Sequence, residues 1–131
     1  MPAHHDDAHV HALGTEAALT SLVNASLANI PGADMASVTI RSQDQHLSTA
    51  AASDDLAYRL DEIQYELREG PCYDAVTISQ FALDNDLRHG RYPRYGPRAA
   101  DLGLGSQLAT QVAHNGTQAG LNVYARRVHA F

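Results

Sequence analysis

The one cysteine, Cys72, follows directly on Gly70-Pro71, a pair that ends one helix and opens the next. A thiol at a helix N-terminus is favoured as thiolate, so Cys72 can act as a redox group or as a point of ligand attachment. The competing reading is a small buried hydrophobe, since free cysteine is among the most buried residue types. A single cysteine also excludes an intramolecular disulfide, in keeping with a reducing compartment. His4, His5, His9 and His11 with Asp6 and Asp7 carry ligand types that suit Zn²⁺ or Ni²⁺. Nothing around them would hold such ligands in geometry, so residues 1–14 read as a disordered, histidine-rich tail and no metal site is expected. Arg88, Arg91, Arg94 and Arg98 stand close to Tyr92 and Tyr95, a combination that can engage a phosphate or a purine, or else form a solvated face. Asp61, Glu62 and Glu66 read as the polar side of a helix, and His89 and His114 fall in loops without an evident partner. There is no GxSxG, no HExxH and no phosphate-binding Walker loop. The expectation is a protein that is not an enzyme.

Length and charge narrow the classes further. A chain of 131 residues is the size of one domain. Its net charge is −6, with nine arginines and no lysine, and its pI is about 5.6. An acidic chain offers no cationic stripe for a polyphosphate, so direct nucleic-acid binding is not expected. No run approaches the ~18 apolar residues of a membrane span, and residues 1–15 do not resemble a signal peptide. These features predict a cytoplasmic protein that does not engage a membrane.

The elements that must position these groups can be read in order. Thr15–Asn29 has an apolar face of Leu19, Leu22, Val23 and Leu27, which predicts a helix. Its milder second face, with Ser21, Asn24, Ser26 and Ala28, can pack on another helix. Residues 35–41 alternate, Met35, Ser37, Thr39 and Arg41 against Ala36, Val38 and Ile40, as in a half-buried strand. A turn at 42–45 and a return over 47–52 complete a hairpin. Ser53, Asp54 and Asp55 supply a helix start, and Leu56, Leu60, Ile63 and Leu67 one apolar stripe up to Gly70-Pro71. A short helix from Cys72, a strand over 78–83, and a helix opened by Gly96-Pro97 and closed by Gly103 follow. Residues 107–113 and 117–125 alternate across Asn115-Gly116, the preferred pair for a tight hairpin. Gly120 removes a side chain in mid-strand, which permits close packing or the approach of a ligand.

Three segments carry a resemblance: LDEIQYELREGPCYDAV, DNDLRHGRYPRYGPRAADLGLGS and GLNVYARRVHAF. They are similar to successive parts of the GAF domains of bacterial signalling proteins, which are often joined to ANTAR RNA-binding domains. The likeness spans residues 31–131. It implies an α+β, PAS/profilin-like fold. A central antiparallel sheet of about five strands would carry the N-terminal helix on one face and helices and loops on the other. One GAF-like domain is expected over 15–131, without the C-terminal helix usual in the family. The family's aromatic at the position of Tyr92 implies a wedge under the loop. One branch of the family reduces free methionine sulfoxide with several cysteines; Cys72 alone lacks a resolving thiol.

Resemblance together with placement makes Tyr65, Cys72, Tyr73, Phe81 and Asn122 the expected ligand-binding residues. The implied function is a sensory module that binds a small molecule and signals through a homodimer, formed by the N-terminal helix, or through a partner. A dimerisation scaffold with a closed pocket and a thiol redox sensor using Cys72 are the alternatives. No cofactor is named by the residues, and no histidine stands where it would ligate haem.

Overall fold

Strands with β-branched and small residues on alternate sides form the centre of the molecule. The computed structural model describes the backbone of residues 2–114 and 117–131 and the side chains of 16–112 and 118–131. Helix α1 (Pro2–Asn29) is followed by strands β1 (Met35–Arg41) and β2 (Leu47–Ala52). Helices α2 (Asp55–Leu67) and α3 (Pro71–Asp74), strand β3 (Phe81–Asp84), helix α4 (Tyr95–Asp101) and strands β4 (Ser106–His114) and β5 (Thr117–Ala125) complete the chain. The five strands form one sheet in the order β2-β1-β5-β4-β3, with every neighbouring pair antiparallel. This is the expected α+β architecture. The Asn115-Gly116 turn and the side chains of the histidine-rich stretch 1–14 lie outside the described residues.

α1 covers one face. Leu19 and Val23 pack there on Ala36 and Val38 of β1 and on Ala119, Leu121 and Val123 of β5, with Phe131 and Ile30 at the margin. The other face lies beneath α2, α3 and α4; Leu60 and Ile63 of α2, Tyr92 of the loop before α4, and Tyr95 and Ala99 of α4 cluster there with Met35 and Tyr124. β1 and β5 are therefore central and covered on both sides. Ser37 and Thr39, on the polar side of an apparently half-buried strand, are fully buried.

Two local devices set the angle of the cover. The carboxylate of Asp54 accepts the amide of Ala57 at 2.9 Å and starts α2. The Glu69 carboxylate accepts the amides of Arg94 at 2.7 Å and Tyr95 at 2.8 Å, which caps α4 from the connection between α2 and α3. The strand expected at 78–83 is shorter than its residues suggest. From α3 the chain makes one wide helical turn over Ala75–Ser79, left-handed Gln80 (φ 67°) ends it, and pairing begins at Phe81. Val76 explains the turn, because it seats against Gly120, where a Cβ would lie 2.5 Å from its methyl group.

Candidate ligand-binding site

The sheet face beneath α2 and α3 is polar at its centre. Ser37 and Thr39 of β1, Thr49 of β2 and Asn122 of β5 point at Asp61, Gln64 and Tyr65 of α2 and at Cys72 of α3. Asp61 is wholly buried and accepts hydrogen bonds from Ser37 Oγ at 2.8 Å, Thr49 Oγ1 at 2.7 Å and the Tyr124 hydroxyl. Asn122 Nδ2 donates to both Ser37 Oγ and Thr39 Oγ1 at 3.0 Å. Gln64 Nε2 donates to Tyr124 at 3.1 Å, and Gln64 Oε1 accepts from the Cys72 amide at 2.9 Å and from Gln107 at 3.1 Å.

The direction of the remaining bonds follows from counting hydroxyl protons. Thr49 gives its one proton to Asp61, so in its bond with Tyr65 (2.9 Å) the tyrosine hydroxyl must donate. Tyr65 then accepts from Thr39 at 2.6 Å, and Thr39 accepts from the Cys72 thiol at 3.1 Å. With Asp61 ionised, one oriented chain runs Cys72 → Thr39 → Tyr65 → Thr49 → Asp61. Asn122 Oδ1 is left without a partner among the described residues.

Burial governs the titration of these groups. It pushes Asp61 up to about 7, against the lowering effect of its three hydroxyl donors. It pushes the Cys72 thiol up as well, and the negative charge of Asp61 adds to the rise. The lowered thiol pKa expected from a helix N-terminus is thus corrected. α3 is only four residues long, and Cys72 is fully enclosed. Asp61 is a second correction, since it belongs to the buried centre rather than to a solvated helix side.

A cavity of 820 Å³ adjoins this network. Its walls are the end of β1 at Arg41, the 44–46 turn and the start of β2, one side of α2, and Tyr73 and Thr77. Of the five expected ligand-binding residues, Tyr65 and Tyr73 line it. Cys72 and Asn122 lie buried in the hydrogen-bonded layer. Phe81 stands apart on edge strand β3, 53% exposed. Arg41, Tyr58, Glu62 and Glu66 are lining residues that sequence reasoning did not select. The usable signal was the polar row Ser37-Thr39-Arg41 on a central strand, which can only face a covered polar layer.

The arginine-tyrosine segment is structural. Arg88 pairs with Asp101 at 2.7 Å, and Arg94 binds Glu69 at 3.2 Å and the Leu67 carbonyl at 2.8 Å. Tyr92 is buried and donates to Asp74 at 2.9 Å, with the Arg91 guanidinium 5.4 Å over its ring. It is the wedge under the loop, with its hydroxyl pushed up to about 12 by burial and by Asp74. Among the described residues no group of three or more His, Cys, Asp or Glu side chains could hold a metal, and no helix is long and apolar enough to cross a membrane.

The same sheet and cover occur in solved structures. The GAF domain region of a Geobacter sulfurreducens PCA protein superposes with a TM-score of 0.73, at 16% identity, over 95% of this chain and 85% of that one. The chain has the GAF fold. The GAF domain of a phosphoenolpyruvate-protein phosphotransferase from Coxiella burnetii aligns at TM-score 0.63 and 18% identity, over 89% and 70% of the two chains. A type II free methionine-R-sulfoxide reductase from Thermoplasma acidophilum aligns at TM-score 0.70 and 16% identity, over 89% and 78%. That likeness corrects the expectation that the chain is not an enzyme: a GAF-like fold also carries catalysis, so the absence of a familiar motif excludes nothing. No family model and no curated protein matches the sequence.

Proposed function

We propose that this GAF domain is a sensory and regulatory module of bacterial signal transduction, of the kind found in GAF/ANTAR-type proteins, that binds a small molecule. The observation that carries this reading is the 820 Å³ cavity between α2 and the β1–β2 hairpin, within the ~300–1,000 Å³ range of small-molecule sites. Tyr65 joins that cavity to the buried network through Thr39 and Thr49. A ligand touching Tyr65 would bias the seating of α2 and α3, and the bias would pass to a homodimer through α1 or to a partner, as a population shift. A closed interaction scaffold is the second reading, favoured by the seating of Val76 on Gly120 and the filled centre of the sheet. Native mass spectrometry of freshly purified protein, set against its denatured mass, tests the choice. Extra mass that is lost on denaturation is the expected result. A bare mass at twice the monomer supports the scaffold instead.

A further inference from the structure

On the α1 side the sheet is covered over one half only. α1 lies over β1 and β2 and reaches β5 at Leu121 and Val123. Residues directly opposite in an antiparallel pair share a face, and the register carries this face on to the uncovered half. Leu121 pairs with Thr110 and Val123 with Leu108 of β4, and these pair in turn with Phe81 and Leu83 of β3. Val112 of β4, opposite Ala119, completes the strip. None of these five β3 and β4 residues is buried, and Phe81 is 53% exposed. On the opposite face of the same two strands Ala82, Asp84, Gln107 and Ala109 all are buried. The strip has no charged side chain. Nor has the outer side of α1 between Ala17 and Asn29, where Ala17, Ser21, Asn24, Ala25 and Ala28 are exposed. Charged side chains such as Arg59, Glu66, Arg68 and Arg94 stand exposed on the other cover.

From this we infer that the β3–β4 strip is the seat of helix α1 of a second copy, and that the exchange is mutual. It rests on the homodimer of the proposed function, not on the ligand, and names the surface that completes it. Size fits, since two neighbouring strands are about 10 Å wide, the diameter of one helix lying along them. The strip from Leu108 to Val112 is about 13 Å long, and α1 from Ala17 to Ala28 about 16 Å. Symmetry fits as well. A two-fold axis running between two helices laid side by side puts each α1 on its own sheet with Leu19 and Val23 and on the partner's strip with its outer side. Two sheets then enclose one layer of two helices, and Ser21 and Ala28 are small enough to let the second sheet approach. Charge favours a second copy over an acidic or basic partner, which finds nothing to pair with here. Two chains of net charge −6 meet through this neutral surface without setting acids against one another.

Sedimentation equilibrium of the full chain is the test, with Phe81→Glu on the strip, Ser21→Arg on α1, and an equimolar mixture of the two variants. The parent is expected to associate reversibly into a dimer. Each variant alone should weaken that dimer on the order of tenfold or more, because it places an unpaired charge in the interface. Mixing them should recover most of the loss. One contact of the mixed pair is then unaltered, and the other sets a carboxylate against a guanidinium. Both positions are exposed, and a dispersed amide spectrum shows that each variant is folded; Thr110→Glu, in the middle of the strip, repeats the test should Phe81→Glu not fold. A monomer at every concentration overturns the inference and the homodimer with it, and leaves the ligand reading to the native mass. A dimer indifferent to Phe81→Glu and Thr110→Glu, or a mixture no tighter than either variant alone, overturns the strip and leaves a homodimer formed through another surface.

Discussion

Asp61 is held by three neutral hydroxyls in the middle of the fold, with its pKa raised by burial from 3.8 to about 7. A carboxyl whose folded pKa lies above its unfolded value stabilises the protein fully below about pH 4 and loses that contribution as pH rises through about 7. Linkage puts the loss between pH 5.5 and 8.5 at about 2 kcal/mol. Urea denaturation at the two pH values should show it, and Asp61→Asn should flatten the dependence. The asparagine can be accommodated, because its amide would donate to Thr49 and the hydroxyl chain would reverse towards Cys72. A variant that unfolds at both pH values, or one that keeps the wild-type slope, contradicts this assignment. Little of this was legible in the sequence. Asp61 adjoins Leu60 in the heptad-like stripe, and helical periodicity assigns acids to water by default. The default fails here because β1, opposite, presents hydroxyls rather than methyl groups.

Elements were read more fully, and where they were not, contacts distant in sequence decided the outcome. The α2 stripe, both hairpins and the 15–29 part of α1 follow from periodicity, whereas the helix itself begins at Pro2, inside the stretch 1–14 read as a disordered tail, and Thr15 does not cap it. The wide turn at Ala75–Ser79 follows from Gly120, far along the chain, and no local signal encodes it. Gly120→Ala should therefore destabilise by about 1–3 kcal/mol through overpacking against Val76. Adding Val76→Ala should restore much of the loss, and a double-mutant cycle in thermal unfolding measures the coupling. Additive effects would mean that the two residues do not meet. Glu69 makes the same point for α4. Burial raises its pKa, but the amides of Tyr95 and Arg94 and the Arg94 guanidinium outweigh that effect and hold it below the usual range. Its contribution is present above the unfolded carboxylate pKa and is lost as pH falls through the folded one. Glu69→Ala should cost about 1–2 kcal/mol at neutral pH. Glu69→Gln, which keeps an acceptor, should cost less, as melting at pH 7 and pH 3 would show.

Across the whole molecule the two layers are built differently. Beneath α2 and α3 the sheet carries a polar network, which is demanding in geometry. Among the described residues the contacts beneath α1 are apolar apart from Ser26, which was expected on the outer face but is buried and donates to the Leu22 carbonyl at 2.8 Å. Leu19 and Val23 are the buried apolar side chains of α1 among those described, with Leu22 and Leu27 partly buried, while Ser21, Asn24, Ala25 and Ala28 face outward. If the proposed signal arises at the polar layer and is read at the outer face of α1, it must pass through β1 and β5, which both layers share. Leu19→Ala tests that route. Removing a buried leucine side chain should cost about 2–5 kcal/mol, and the loss should fall unevenly. Hydrogen exchange is expected to rise first in α1, while β1 and β5 keep their protection, because the polar layer still pins them from the other side. If self-association runs through α1, the variant should also shift towards the monomer at concentrations where the parent is dimeric. Uniform loss of protection across both layers would instead mean that the sheet and its two covers unfold as a single unit, leaving α1 unable to move independently of the site.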